Sequence, residues 1–483
     1  MKRYRIFVFV CCLAAALLLA SCTDSPAQKE AFNAEQVTLV VTDEDISQLD
    51  QYENLKEADL SGSTCYEAIQ RWQGEHPDVT VRYTVSLGDR EVAADVQELH
   101  LAPGEYTAET LTRNLPYLKN LKSLRFTDPE LSVEELKALP CSQVSWEVTL
   151  GGSTYPQNAE ELDLSALTPG EVGEAAHRLA LLPEVKTVEL MQEDASLLSP
   201  QDVAVLQAAA PDATFHYAFT LFGATVSTTD ERIEFKNQSI GDEGEDELRQ
   251  ALDILKGCQY FLLDNCGFSN ELLAQVREEY RDTTKIVWRV RFGGRGSCLT
   301  DREVIRYVYG LDDSNCSSLY YCEDARFADF GHNVTLSDCS FVAGMKNLEC
   351  IILSGSRVKD ISAFANCKKL EFLELCYCSG LTDISALSQC DSLNKLNISF
   401  TSVKDLSALD DLDMELLCAM QIRANADAQA DFKAKHPDCL TQFRGKQPYG
   451  YGWRYVDYGY TYTEYYANMR KMFDYDHASN TFS

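Results

Sequence analysis

Between residues 336 and 415, apolar and polar positions alternate in blocks that return on a fixed period. The triplets Asp338-Cys339-Ser340, Asp360-Ile361-Ser362, Asp383-Ile384-Ser385 and Asp405-Leu406-Ser407 lie 22, 23 and 22 residues apart. Between them run NLECIILSGSRVKD, KLEFLELCYCSGLTD and SLNKLNISFTSVKD. Their apolar anchors align as Leu348/Leu370/Leu393, Ile351/Leu373/Leu396, Leu353/Leu375/Ile398 and Val358/Leu381/Val403. Alternation inside each block predicts a short strand with every second side chain buried. A unit this small cannot enclose its own apolar side, so the period predicts neighbours stacked on one another.

The block resembles the leucine-rich repeat family, in its internalin-type form of 22 residues. The family's asparagine after the strand is missing from these units, where Ser356, Ser379 and Thr401 stand near that place. The resemblance implies an α/β solenoid that recognises a protein through its concave face, without catalysis. Side chains between the buried leucines line that face, in the columns Cys350/Phe372/Lys395, Ile352/Glu374/Asn397 and Ser354/Cys376/Ser399, with Gly355/Tyr377/Phe400 beside them. Phe372, Glu374, Tyr377, Lys395, Asn397 and Phe400 are therefore the expected ligand contacts. Aromatic side chains on a rigid surface suit recognition, unless neighbouring modules or the tail cover them. The same alignment puts Cys367 and Cys390 in phase with Met345 and Leu412, a column of small and medium apolar residues.

Upstream, the pattern loosens but persists. Strand-like pieces in VQELHLAPG, LKSLRFTD, AEELDLSAL, VKTVELMQE, DERIEFKNQ and CQYFLLDNC alternate with helical stretches that open on a serine cap, as in SVEELKAL and SPQDVAVLQAAA. A strand closing on glycine recurs at Gly88, Gly151, Gly223 and Gly293, 63, 72 and 70 residues apart. Residues 37–300 thus read as about four degenerate strand–helix modules, continuous with the repeats or forming a separate α/β domain. Residues 301–335 read as a connecting segment in which Cys316 and Cys322 are close enough in sequence for a local disulfide. Residues 336–420 are the regular repeats, and residues 421–483 a C-terminal helix and tyrosine-rich cap. Eight tyrosines and a tryptophan fall within residues 449–466. That density suits either a terminal cap over the last apolar layer or stacking on cell-wall glycan.

The N-terminus changes the picture of where the chain works. MKRYR and a short apolar run end in Leu19-Ala20-Ser21-Cys22, which resembles a bacterial lipobox. Residues 1–22 then form a lipoprotein signal and Cys22 carries the diacyl anchor, followed by a spacer over 23–36. Two acyl chains hold a protein stably at a membrane. Loss of Lys2, Arg3 and Arg5 moves the net charge from −32 to −35, which repels nucleic acid. Beyond the signal and Cys22, 15 cysteines remain, an odd number that cannot all pair within one chain.

Catalytic patterns are absent: there is no GxSxG, HExxH, P-loop lysine motif or GxGxxG after a strand. GDEGEDE at 241–247 lacks the alternating ligand spacing of a calcium loop. Cys376 and Cys378 have no second cysteine pair at zinc spacing. No cofactor or metal is expected. The sequence predicts a cell-surface binding lipoprotein. An envelope glycan-binding protein using its aromatic tail is the alternative, and an enzyme with a site assembled from distant modules a third.

Overall fold

The computed structural model describes residues 32–193, 195–447, 452–456 and 460–475; the signal segment and Cys22 lie outside them. The chain divides into two compact units, Met1–Ala218 and Phe219–Ser483.

The first unit holds three modules, each with three parallel strands separated by helical or 3-10 segments. The strands are Gln36–Thr38, Glu57–Asp59 and Thr80–Arg82, then Glu98–Leu101, Ser123–Thr127 and Gln143–Leu150, then Glu161–Asp163, Thr187–Glu189 and Thr214–His216. Alternation drives them: Leu99, Leu101, Leu124, Phe126, Val148 and Leu150 are buried while the residues between them face outward. Thr107, Ser132 and Ser199 open their helices with reciprocal capping boxes, which satisfy backbone N–H groups that would otherwise be orphaned. After the third strand of the first and second modules the chain doubles back antiparallel, at Gly88 (φ 132°) and Gly151 (φ 56°).

The second unit begins with a fourth module. Arg232–Lys236, Tyr260–Asp264 and Lys285–Phe292 pair in parallel, and Gly296–Leu299 returns antiparallel. Gly293 at that return has φ 54°, and a Cβ there would lie 2.1 Å from the Tyr307 ring, so a larger residue is excluded. This module shares one apolar core with the rungs C-terminal to it.

Those rungs form a seven-stranded parallel sheet: Val304–Arg306, Phe327–Asp329, Cys350–Ile352, Phe372–Glu374, Lys395–Asn397, Leu416–Cys418 and Leu440–Gln442. The first two rungs occupy residues 301–335, so the expected connecting segment is itself part of the repeat array. Its triplet is Asn315-Cys316-Ser317, with asparagine in the aspartate position. Inward residues Ile305, Ala328, Ile351, Leu373, Leu396 and Leu417 form one continuous buried row.

The aspartates of the triplets now have a cause. Asp338, Asp360, Asp383 and Asp405 each accept the N–H of the serine two residues on, at 2.8–2.9 Å, and start the 3-10 turn that leads to the next rung. Those bonds hold Asp360 and Asp405 below the ordinary carboxylate range. Cys316, Cys339, Ile361, Ile384 and Leu406 stack in one buried column at the turn starts; Cys322, Met345, Cys367 and Cys390 stack in another at the turn ends. Cys316 and Cys322 are therefore free core residues, and the local disulfide their spacing would allow is not formed. Burial pushes the thiols of Cys367 and Cys390 up to about 12 and about 11. Helix Ala426–Lys435 buries Phe432 and leads into the last rung, closing the stack.

Candidate functional site

Outward side chains of the rungs form columns. One runs Val304, Phe327, Cys350, Phe372, Lys395, Leu416; the next runs Arg306, Asp329, Ile352, Glu374, Asn397, Cys418. The C-terminal tail lies on them. Trp453, Tyr466, Met469 and Phe473 join Cys350, Ile352, Phe372, Leu416 and Cys418 in a buried cluster. The ring of Phe372 lies 4.5 Å from Trp453 and 4.9 Å from Tyr465.

This corrects the expected ligand contacts. Phe372 is 2% exposed and Glu374 and Asn397 are 0% exposed, so an outside ligand does not reach them in this state. Lys395 is half-buried, paired with Glu415 at 2.7 Å, with its ammonium 5.3 Å from the Tyr465 ring centre. The tail also differs from the expected terminal cap. It lies across the sheet face, while helix Ala426–Lys435 and the last rung cover the end of the stack.

Tyr377 and Phe400 remain at the margin. Tyr377 is 43% exposed and Phe400 half-buried, and their rings stack at 4.7 Å. Both have left-handed backbone, φ 63° and 61°, as the residue that turns the chain off its rung. The same position holds Tyr309, 62% exposed, and His332, whose rings also stack, at 6.1 Å. Tyr309 and His332 follow the first two rungs, which lie before the regular repeats that begin at residue 336. The structure brings Tyr377 and Phe400 together and separates them from Phe372.

Beneath the tail are two acids. Glu374 accepts the Ser354 hydroxyl at 2.7 Å and the Trp453 indole N–H at 2.5 Å, with Arg454 at 3.7 Å. Asp329 accepts the Gly331 N–H at 3.0 Å and the Tyr475 hydroxyl at 2.8 Å. Burial pushes the Asp329 carboxyl up, against the opposing pull of those bonds and of Arg306. Arg306 donates to the carbonyls of Phe473 and Asp474 at 3.2 and 3.1 Å. Burial likewise raises the phenols of Tyr465 and Tyr475. Cys376 donates to Ser354 at 3.1 Å, and Cys378 is buried beside Ser356. Among the described residues no group of three or more His, Cys, Asp or Glu side chains is placed to hold a metal ion.

Residues 304–442 form a leucine-rich-repeat solenoid. No protein-family model matches the chain, and no curated protein matches it. Solved structures do. An internalin from Listeria monocytogenes is 14% identical over 74% of this chain and 86% of its own, with a TM-score of 0.25. A leucine-rich-repeat protein from Leptospira interrogans is 11% identical over 88% and 100%, with a TM-score of 0.27. The Drosophila Toll–Spätzle complex is 12% identical over 86% of this chain and 52% of that one, with a TM-score of 0.23. TM-scores this low do not set the fold, which rests on the parallel rungs and their stacked turns. Among the described residues no helix is long and apolar enough to cross a membrane.

Proposed function

We propose that the chain is a non-catalytic binding lipoprotein, tethered at the bacterial cell surface through a diacylated Cys22, whose solenoid recognises a protein partner. The observation that carries this reading is the two stacked aromatic pairs at the rung ends, Tyr309 with His332 and Tyr377 with Phe400, on either side of Gly355; His332, Tyr377 and Phe400 sit in left-handed turns. Preordered aromatic side chains bind with little further loss of conformational entropy. The partner is protein rather than nucleic acid, because the net charge of −35 left after loss of the signal repels a phosphate backbone.

The glycan alternative draws on Tyr460 and Tyr462, which are exposed on the tail. Sugar rings need open aromatic faces, however, and the Tyr462 ring stacks on Tyr455 at 5.1 Å and has the Arg470 guanidinium 4.7 Å from its centre.

The test uses labelled lipid-free protein, residues 23–483, on arrays of extracellular proteins and of cell-wall glycans. Binding to a protein, weakened at least tenfold by Tyr377→Ala with Phe400→Ala at an unchanged melting temperature, supports the reading. Binding to glycans alone, or to a protein with no loss in the double variant, rejects it.

A further inference from the structure

The tail covers a surface that differs from a core. A permanent core is apolar throughout, whereas the covered face sets Arg306, Asp329 and Glu374, each bonded to the tail, beside apolar Cys350, Ile352, Phe372 and Leu416. Each acid is split in its allegiance. Asp329 gives Oδ1 to the Gly331 N–H of its own rung, and Glu374 gives Oε1 to Ser354 of the rung beside it. The remaining oxygens, Oδ2 of Asp329 and Oε2 of Glu374, point at the tail and take the Tyr475 hydroxyl and the Trp453 indole. Asn397 is likewise tied back, accepting the Ser399 N–H at 3.1 Å. With the tail lifted away, the sheet keeps these internal bonds, and water can serve the two outward oxygens.

The tail's side of the contact is equally specific. Asp329 and Glu374 stand two rungs apart, about 10 Å at the usual strand spacing, and the tail bridges them with one indole and one phenol. Arg306 holds the carbonyls just after the terminal helix Glu464–Met472, complementing that helix's negative end. Nine residues make a helix too short to be stable alone in water, so it forms on the sheet. Residues 444–447, which lead to it, are exposed.

We infer that this acidic face is a peptide-binding site, and that the tail segments 452–456 and 460–475 are its built-in, exchangeable occupant. The partner it fits is a polypeptide segment presenting an indole N–H and a phenol O–H two rungs apart, with arginine beside the indole as Arg454 is in the tail. Such a partner competes with the tail, and the tail keeps the face closed in its absence. This surface is separate from the exposed pair Tyr377 and Phe400 and stands whether or not that pair binds.

The experiment uses residues 23–483 with a specific protease site inserted between Lys446 and Gln447, cut after folding. The probe is a labelled synthetic peptide of residues 452–475. Under the proposal the cut tail leaves on dilution while the circular dichroism of the solenoid is retained. The labelled peptide then rebinds saturably, and W453F and Y475F peptides each bind at least tenfold more weakly. Those substitutions lie in the peptide, so folding of the protein is untouched. If the cut tail stays until the whole protein unfolds, or its departure collapses the solenoid signal, the tail is a core element and the proposal falls. Rebinding indifferent to both substitutions also overturns it.

Discussion

Asn333 offers the sharpest test of how the rungs are held. It is 1% exposed and makes three hydrogen bonds. Its Oδ1 accepts the Leu311 N–H at 2.9 Å, and its Nδ2 donates to the carbonyls of Tyr307 at 2.7 Å and Phe330 at 2.9 Å. The corresponding residues of later rungs are Ser356, Cys378 and Thr401. Thr401 makes one such bond, to Ile398 at 2.7 Å. Asn333→Ala leaves three buried backbone groups without partners. At about 1 kcal/mol or slightly more for each bond, the loss is about 3–4 kcal/mol. Thr401→Val keeps the shape and removes one bond, a loss of about 1 kcal/mol. Urea unfolding of residues 23–483, monitored by far-ultraviolet circular dichroism, reads both differences from the shift in midpoint at a common slope. A threefold ratio is expected. Equal costs would show that the side-chain bonds of Asn333 add little beyond filling space, and would refute its role in locking the rungs.

Four further outcomes are expected. Cys22→Ser abolishes metabolic labelling with a palmitate analogue and releases the protein from the membrane fraction; label retained on the variant would reject the anchor. Gly344→Ala places a Cβ 1.8 Å from the Tyr320 carbonyl oxygen and costs about 3 kcal/mol, while Gly380→Ala, with 3.5 Å of clearance from Lys359, changes stability little in the same melt. Among the described cysteines half-buried Cys141 reacts first with a water-soluble thiol reagent at pH 8, ahead of half-buried Cys439, whose thiol burial pushes up to about 11; rapid modification of Cys376 or Cys378 would contradict their burial. The raised Asp329 carboxyl, among Glu374, Arg306, Tyr466 and Tyr475, favours its protonated form when the tail is seated. Its contribution is complete below the ordinary value of 3.8 and is lost as pH rises through the raised value. Proteolysis within the tail should therefore quicken from pH 4 towards neutrality, and a flat profile would remove Asp329 from that role.

The regular rungs were legible because each repeats an aspartate–apolar–serine turn before the same apolar anchors. Residues 301–335 escaped because Asn315 replaces the aspartate and Ala328 replaces a large inward residue, which weakens both signals at once. Their rungs supply Arg306, Asp329, Tyr309, His332 and Asn333, so half of the candidate site went unseen with them. Strand alternation correctly turned Phe372, Glu374 and Asn397 outward, yet no local pattern shows what covers an outward residue. Trp453 lies 79 residues from Glu374 and Tyr475 lies 146 from Asp329. The tail's aromatic density was visible, whereas its resting place depends on those distant pairings.

A stack whose rungs touch only their neighbours can fray one unit at a time from either end. The tail alters that. Its contacts reach from Arg306 on the first rung, 168 residues away along the chain, to Cys418 on the sixth. Such a crosspiece makes loss of any rung beneath it cost the others their cover as well, so the array melts more nearly as one body. It is synthesised after the rungs it covers, which leaves them to assemble by local steps before they are bound together. Whatever draws the tail aside therefore does more than uncover a surface: it returns the array to a spring of weakly coupled coils, softer under load and quicker to fray.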